Sequence, residues 1–252
     1  MNTQKKSATK KTDVKKTIKK TIKSSAKKTG KSVEAIKEII EIKEASIIES
    51  RIDKMIRLAK ELQTDKIDHG YLPHYDKYLP ENPTRILEIG VLKGASVKMW
   101  KELFPEADIH CLDLFEEFDP RRELTNLGIT CWKGSQSDYG LLYSIPGQFD
   151  VIIDDASHIA DNTVITFKHG IENLLRSGGL FFVEDLHCHT EEYYWGSVKS
   201  FEDTLLYAFH NWTKEKGLPL SMFFDTNQKA VYDRLIDDVV LIDNKLAIVK
   251  RK

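Results

Sequence analysis

An α/β fold with a doubly wound, mostly parallel sheet is what this chain of 252 residues predicts, and three features carry the prediction. From Pro83 onward, short apolar runs alternate with helix-like segments, the βαβ rhythm of a parallel sheet. The first run ends in a glycine turn, Glu88-Ile89-Gly90-Val91-Leu92-Lys93-Gly94-Ala95-Ser96, that opens a helix. Two later runs, Ile-Ile-Asp-Asp-Ala-Ser-His at 152–158 and Phe-Val-Glu-Asp-Leu-His at 182–187, end in paired carboxylates followed by a histidine. Apolar runs of this kind read as buried parallel strands, and acids at their C-terminal ends lie at the rim where open α/β sheets bind ligands.

The elements follow in order. Residues 1–31 hold twelve lysines and one acid, Asp13, about +11 against about −12 for the rest of the chain. With almost nothing to bury, this tail is expected to be disordered, as a solubilising extension or a weak polyanion-binding arm. Residues 32–64 carry apolar positions at helical spacing, with Ser32 as a cap. This amphipathic helix either packs on the main domain or pairs copies of the chain in a homo-oligomer. Residues 65–252 form the main domain. Its strands are expected at 84–89, 108–113, 129–133, 149–154 and 179–184. Helices are clearest at 95–104 and 160–176, the latter ended by Gly178-Gly179. Val239–Ile242 and Leu246–Val249 flank Asp243-Asn244-Lys245, a hairpin that adds two antiparallel strands and brings the sheet to seven.

Bulk features narrow the class. No apolar run is long enough to span a membrane, and no signal-peptide core follows Met1. Cys111, Cys131 and Cys188 are too few and too scattered for a disulfide framework. Reduced thiols in a cytoplasmic protein are the expectation.

The glycine turn is the candidate nucleotide end of the sheet. Gly90 and Gly94 allow a sharp turn and close approach to a ligand. Asp113 ends the second strand nineteen positions after Gly94, where an acid can accept from two ribose hydroxyls. The third glycine of a dinucleotide fingerprint is missing, and Glu88 would repel a pyrophosphate. A carboxylate there suits a cationic ligand such as S-adenosylmethionine, with its ammonium and sulfonium. Gly134-Ser135-Gln136-Ser137-Asp138 follows the third strand; Ser135 and Gln136 could meet an adenine edge, or Ser137 could simply cap a helix.

Asp154, Asp155, His158, Glu184, Asp185 and His187 form the second constellation. Carboxylates converging on one rim repel unless a cation or protons intervene. Hard oxygen donors without paired cysteines favour magnesium, manganese or calcium over structural zinc. Successive side chains of a strand point opposite ways, so Asp154 and Asp155 are not expected to share a face, nor Glu184 and Asp185. His158 could act as a base beside a metal-bound hydroxyl or as a hydrogen-bond partner of a carboxylate.

These blocks together resemble the metal-dependent sugar O-methyltransferases of macrolide antibiotic biosynthesis, the mycinamicin type, which are class I S-adenosylmethionine enzymes with a Rossmann-like sheet. The resemblance spans about residues 65–195. It includes Thr64-Asp65-Lys66 with His69, Tyr71, His74 and Tyr75; Leu87-Glu88-Ile89-Gly90-Val91, Gly94-Ala95-Ser96 and Met99-Trp100; and the two acidic blocks. It implies metal ligation, by Mg2+, through Asp155, Glu184 and Asp185, and a general-base role for His158. It places Glu88, Gly90 and Asp113 on the cofactor, where Gly94, Ser96, Ser135, Gln136 and Asp154 are expected as well, and it implies that the acceptor is a sugar or glycan hydroxyl. Ser135 stands where the family usually has an acid, Ala156 replaces a usual glycine, and the region after His187 departs from the pattern. Tyr71, Tyr75, Tyr193, Tyr194 and Trp195 are candidates for an aromatic sugar platform. The rival expectations are an RNA methyltransferase that uses the basic tail, or a glycan- or nucleic-acid-binding module on an inactive version of the fold.

Overall fold

The computed structural model describes residues 49–252. The expected tail and residues 32–48 of the expected helix lie outside that range. The chain divides into two compact units, Met1–Asp53 and Lys54–Lys252. Of the first unit, only residues 49–53 are described.

Helix α1 runs Arg51–Leu62. Glu49 and Ser50 are not helical, so among the described residues the helix expected over 32–64 begins at Arg51. It stops at Gln63, which takes a left-handed backbone at φ 61°. A 3-10 turn at Asp65–Ile67 and helix α2, Leu72–Tyr78, lead to the sheet. Then come β1 Arg85–Ile89, α3 Ala95–Leu103, β2 Asp108–Asp113, α4 Arg121–Asn126, β3 Thr130–Lys133, α5 Tyr139–Ser144, β4 Phe149–Asp154, α6 Ala160–His169 and β5 Leu175–Val183. Helices α7, Leu205–Glu215, and α8, Thr226–Leu235, precede the hairpin β6 Ile236–Ile242 and β7 Leu246–Arg251.

The seven strands form one sheet in the order β3-β2-β1-β4-β5-β7-β6. The first five are parallel and the hairpin is antiparallel. Residues of β4 are buried throughout, as an apolar run at the centre of a covered sheet must be. Chain order reverses direction between β1 and β4. A crevice opens outside the carboxyl ends of the strands at such a point, and Gly90, Asp113 and Asp155 all follow or end strands there.

One expectation fails at the start of β5. The helix stops at His169, passes through a wider π-type turn at Gly170–Leu174, and the strand begins at Leu175, before the glycine pair. Gly178, at φ 76°, is part of a register break: Phe149 pairs with Leu175, but Val151 pairs with Leu180. The extra residues bulge out as only a flexible backbone allows. The core joins this side of the sheet to α6, α7 and α8 through Phe167, Phe181, Phe209, Trp212, Phe224 and Tyr232. The hairpin turn uses left-handed Asp243 and Asn244. The carbonyl of Lys245 accepts from Leu186 N at 3.0 Å, which ties the turn to the end of β5.

No helix among the described residues is long and apolar enough to cross a membrane.

Candidate active site

A cavity of about 730 Å³ opens at the carboxyl ends of the strands. Gly90, Ser96, Asp113, Ser135, Gln136, Asp155, His158 and Asp185 all line it. The two halves read from the sequence therefore share one space.

The glycine half is held by Asp113. Its Oδ2 accepts from Val91 N at 2.7 Å and Leu92 N at 3.3 Å, and its Oδ1 from Phe115 N at 2.7 Å. Oδ1, with one backbone donor, keeps a second lone pair that a hydroxyl could use. Exposed Leu92, Leu114 and Phe118 give this end an apolar mouth. Gln136 is a brace: its Nε2 donates to Asp154 at 3.3 Å and its Oε1 accepts from Ser157 N at 2.9 Å. The residue that caps α5 is Asp138, whose side chain accepts from Leu141 N, and not Ser137.

Three residues expected on the cofactor do not line the cavity. Glu88 is fully buried behind its wall, with Oε2 accepting from Trp100 Nε1 at 2.8 Å. Gly94 caps α3 and faces the side chain of Leu124. Asp154 turns inward to Thr166 and Gln136, and burial pushes its carboxyl up to about 7. Strand alternation is the physical reason: with Asp155 directed to the cavity, its neighbour points to the other side.

The acidic half is built around two left-handed residues, His158 at φ 57° and Asp185 at φ 52°. Non-glycine residues in this region are uncommon and persist where their surroundings over-determine them. Tyr71 Oη donates to Asp185 Oδ1 at 2.5 Å, and Asp185 N donates back to Tyr71 Oη at 3.3 Å. Burial and then this bond push the Tyr71 phenol up. His69 Nδ1 lies 3.3 Å and His187 Nδ1 3.8 Å from Asp185 Oδ1, and His158 Nε2 lies 3.7 Å from Oδ2. Asp155, His158 and Asp185 each present one donor atom, all within 4.8 Å of one another. Two carboxylates opening on a cavity suit a magnesium- or manganese-like ion that keeps some of its waters, with the His158 imidazole beside it.

Glu184 is placed differently. It is buried, and its Oε1 accepts from Lys66 Nζ at 2.8 Å and from Tyr75 Oη. Lys66 Nζ also reaches Asp155 Oδ2 at 2.5 Å and Glu88 Oε1 at 3.2 Å. Burial alone would favour the neutral amine. The charges of Asp155, Glu184 and Glu88 outweigh it and hold the Lys66 ammonium well above the ordinary lysine range. Burial raises the carboxyls of Glu88 and Glu184, and Lys66 opposes that rise in both. Lys66, Tyr71, Tyr75 and Trp100 were not among the site residues expected for cofactor, metal or base. Their signals were the Thr64-Asp65-Lys66…Tyr71…Tyr75 and Met99-Trp100 blocks of the resemblance, with Tyr71 and Tyr75 expected on a sugar platform instead.

Of the platform candidates, Tyr71 and Tyr75 are buried and committed to carboxylates, while Tyr193 is exposed and packs edge-on against Tyr194. None of the five lines the cavity.

No family model matches the chain. Among curated proteins it is 34% identical, over 152 residues, to a tetracenomycin-type rhamnosyl 3'-O-methyltransferase of Streptomyces olivaceus, covering 54% of this chain. It is also 34% identical, over 131 residues and 47% of this chain, to demethylmacrocin O-methyltransferase of Streptomyces fradiae and to mycinamicin VI 2''-O-methyltransferase of Micromonospora griseorubida. Its relatives are sugar O-methyltransferases. The match covers only 38%, 32% and 32% of those relatives' own lengths. Among solved structures it is similar to the MycE methyltransferase of the mycinamycin pathway, in complex with Mg and S-adenosylhomocysteine, at 28% identity and a TM-score of 0.62 over 79% of this chain and 54% of that one. The complex that also holds mycinamycin VI gives 29% identity and a TM-score of 0.51, over 76% and 47%. The sheet is thus the class I, Rossmann-like sheet of these sugar O-methyltransferases.

Proposed function

We propose that this chain is an S-adenosylmethionine- and divalent-metal-dependent O-methyltransferase acting on a sugar hydroxyl, with Mg2+ as the metal. One observation carries the reading. Asp155 and Asp185, with His158 beside them, lie on the wall of the same cavity as Gly90 and Asp113, so a methyl donor and an acceptor hydroxyl next to the ion could meet there. The relatives' substrates, and the Mg and S-adenosylhomocysteine of the MycE complexes, agree in kind.

When bound, the methyl donor supplies an electrophilic methyl carbon, and the divalent ion lowers the pKa of a neighbouring hydroxyl. The chain's residues do the rest. Asp155 and Asp185 hold the ion. Asp113 and the Gly90 turn seat the nucleoside end of the donor. His158 takes the hydroxyl proton, and the backbone that strains it into the left-handed region fixes its direction. The gain is positioning and electrostatics more than covalent chemistry.

The test is transfer of labelled methyl from S-adenosylmethionine to a panel of rhamnosyl and deoxysugar glycosides, read by mass spectrometry of the sugar. Activity should need a divalent ion and fall by ~10²–10⁴-fold in His158→Ala, the range of a lost general base. Transfer that survives chelation, or an undiminished His158→Ala, would refute these roles.

A further inference from the structure

Lys66 has no solvent access, yet its ammonium sits among three carboxylates drawn from three adjacent strands. Glu88 comes from β1, Asp155 follows β4 and Glu184 follows β5. With Asp185 these are four carboxylates, which when ionised carry the charge that two divalent cations would balance.

The cluster divides into two halves that share Asp155. In the outer half, Asp155, His158 and Asp185 face the cavity. In the inner half, Asp155 Oδ2, Glu184 Oε1 and Glu88 Oε1 lie 2.5, 2.8 and 3.2 Å from one point, Lys66 Nζ. Glu88 Oε1 is buried and has no hydrogen-bond partner. The Lys66 ammonium lies beside it, at 3.2 Å. A buried carboxylate oxygen in that position is costly unless a cation stands next to it.

We infer that Lys66 is a tethered cation: its ammonium permanently fills the inner half of a two-cation carboxylate cluster, and the chain therefore takes one divalent ion, in the outer half. This rests on the outer half being the metal site of the proposed function. The lysine is a positioning residue. Sealed from solvent, it cannot reach an acceptor, and it acts by holding Asp155 and Glu184 together before any metal arrives. Thr64 and Asp65, its chain neighbours, line the cavity, so the segment that delivers the ammonium also builds the wall of the cofactor space.

The test uses the full, metal-stripped chain and counts bound Mn2+ by calorimetry and electron paramagnetic resonance, with melting temperature as a second readout. Wild type should take one Mn2+ per chain. Lys66→Ala, which removes both charge and stem, should take two, and its melting temperature should rise more with Mn2+ or with methylammonium than that of wild type. The second readout applies even where the variant is unfolded without added cation. Lys66→Met, which fills the space without charge, should show no gain from methylammonium. Two Mn2+ in wild type would overturn the inference, and so would a Lys66→Ala chain that gains neither an ion nor stability from either cation. Wild type binding no Mn2+ would instead strike the reading of the outer half; a Lys66→Ala chain that then acquires one ion would leave the role of the lysine standing.

Discussion

Gly90 and Asp155 meet backbone to backbone. A Cβ on Gly90 would overlap the carbonyl oxygen of Asp155 and crowd the Cα of Ala156. Asp155 N donates to Ile89 O at 2.8 Å, and Gly90 N to Leu112 O at 2.9 Å, so the ladder of β1 extends to both neighbours at its last step. The glycine turn and the first carboxylate of the cation cluster thus share one junction of the two halves of the cavity.

Gly90→Ala should therefore damage both halves at once. The residue needs φ 93° and has no room for a methyl group. Overpacking of this kind costs about 1–3 kcal/mol, and a left-handed backbone adds about 1–2 kcal/mol. Urea unfolding should show the loss, and calorimetry should show weakened binding of both S-adenosylhomocysteine and Mn2+. A variant that binds both as wild type does would separate the halves and refute the coupling.

Asp150 ties the entry of β1 to its neighbours. Its Oδ2 accepts from Thr84 N at 2.6 Å, Thr84 Oγ1 at 2.7 Å and Arg85 N at 2.8 Å, and Arg176, in the bulge of β5, reaches Oδ1 at 2.5 Å. Burial alone would raise this carboxyl, but these partners outweigh it and hold it below the ordinary aspartate value. A depressed carboxyl stabilises the fold above its unfolded pKa of about 3.9, and that contribution is lost as pH falls through the folded value. Asp150→Asn should be less stable by about 1–3 kcal/mol at pH 7. The gap from wild type should narrow below about pH 4. Denaturant titrations at pH 7 and pH 3 measure both; an equal gap at the two values would refute the linkage.

His189 shifts stability in the same sense, through the burial of a base. Burial, and then the charge of His158, lower it to about 4. An unfolded chain takes up this proton at about 6.5. The unfolded state thus binds more protons between about 6.5 and 4, and stability falls as pH drops through that window. The full effect is about 3 kcal/mol. His189→Gln should flatten this part of the stability–pH curve. An unchanged slope between pH 6.5 and 4 would show that the histidine is already protonated in the folded chain.

Much of the fold was legible because its signals are local. β2 and β4 are apolar runs whose ends match their expected ranges, and the turn at Asp243-Asn244-Lys245 announced its hairpin. The start of β5 was not, since Leu175-Arg176-Ser177-Gly178-Gly179 reads as a helix ending and becomes a strand only through pairing with Phe149. Leu205, Leu206, Ala208, Phe209 and Trp212 do carry helical spacing, and α7 could have been found from it. In the site, alternation along the strand separated Asp154 from Asp155. Lys66 left no such trace. Its partners Asp155 and Glu184 lie 89 and 118 residues away, and no local pattern tells a buried lysine from an exposed one.

Cys111 and Cys131, twenty residues apart in sequence, are register partners on β2 and β3, and Cys111 Sγ donates to Cys131 Sγ at 3.5 Å. That bond stabilises a thiolate on Cys131 and keeps the proton on Cys111. Cys131 is accordingly lowered to about 7, by Cys111 first and then with help from Thr125 and Arg121 against burial; Cys111 is pushed well up by the same bond and by burial. The thiolate is the form that alkylates. Iodoacetamide should therefore label the half-exposed Cys131 first in the folded chain, with a pH midpoint near 7. Cys188, raised by burial, should lag. Cys111→Ala removes the donor and should move the Cys131 midpoint toward the ordinary thiol value of about 8.5, slowing its labelling at pH 7 by roughly tenfold. Peptide mapping by mass spectrometry resolves the three sites. A midpoint unmoved by Cys111→Ala would mean that exposure alone, and not the paired sulfur, governs the reactivity of Cys131.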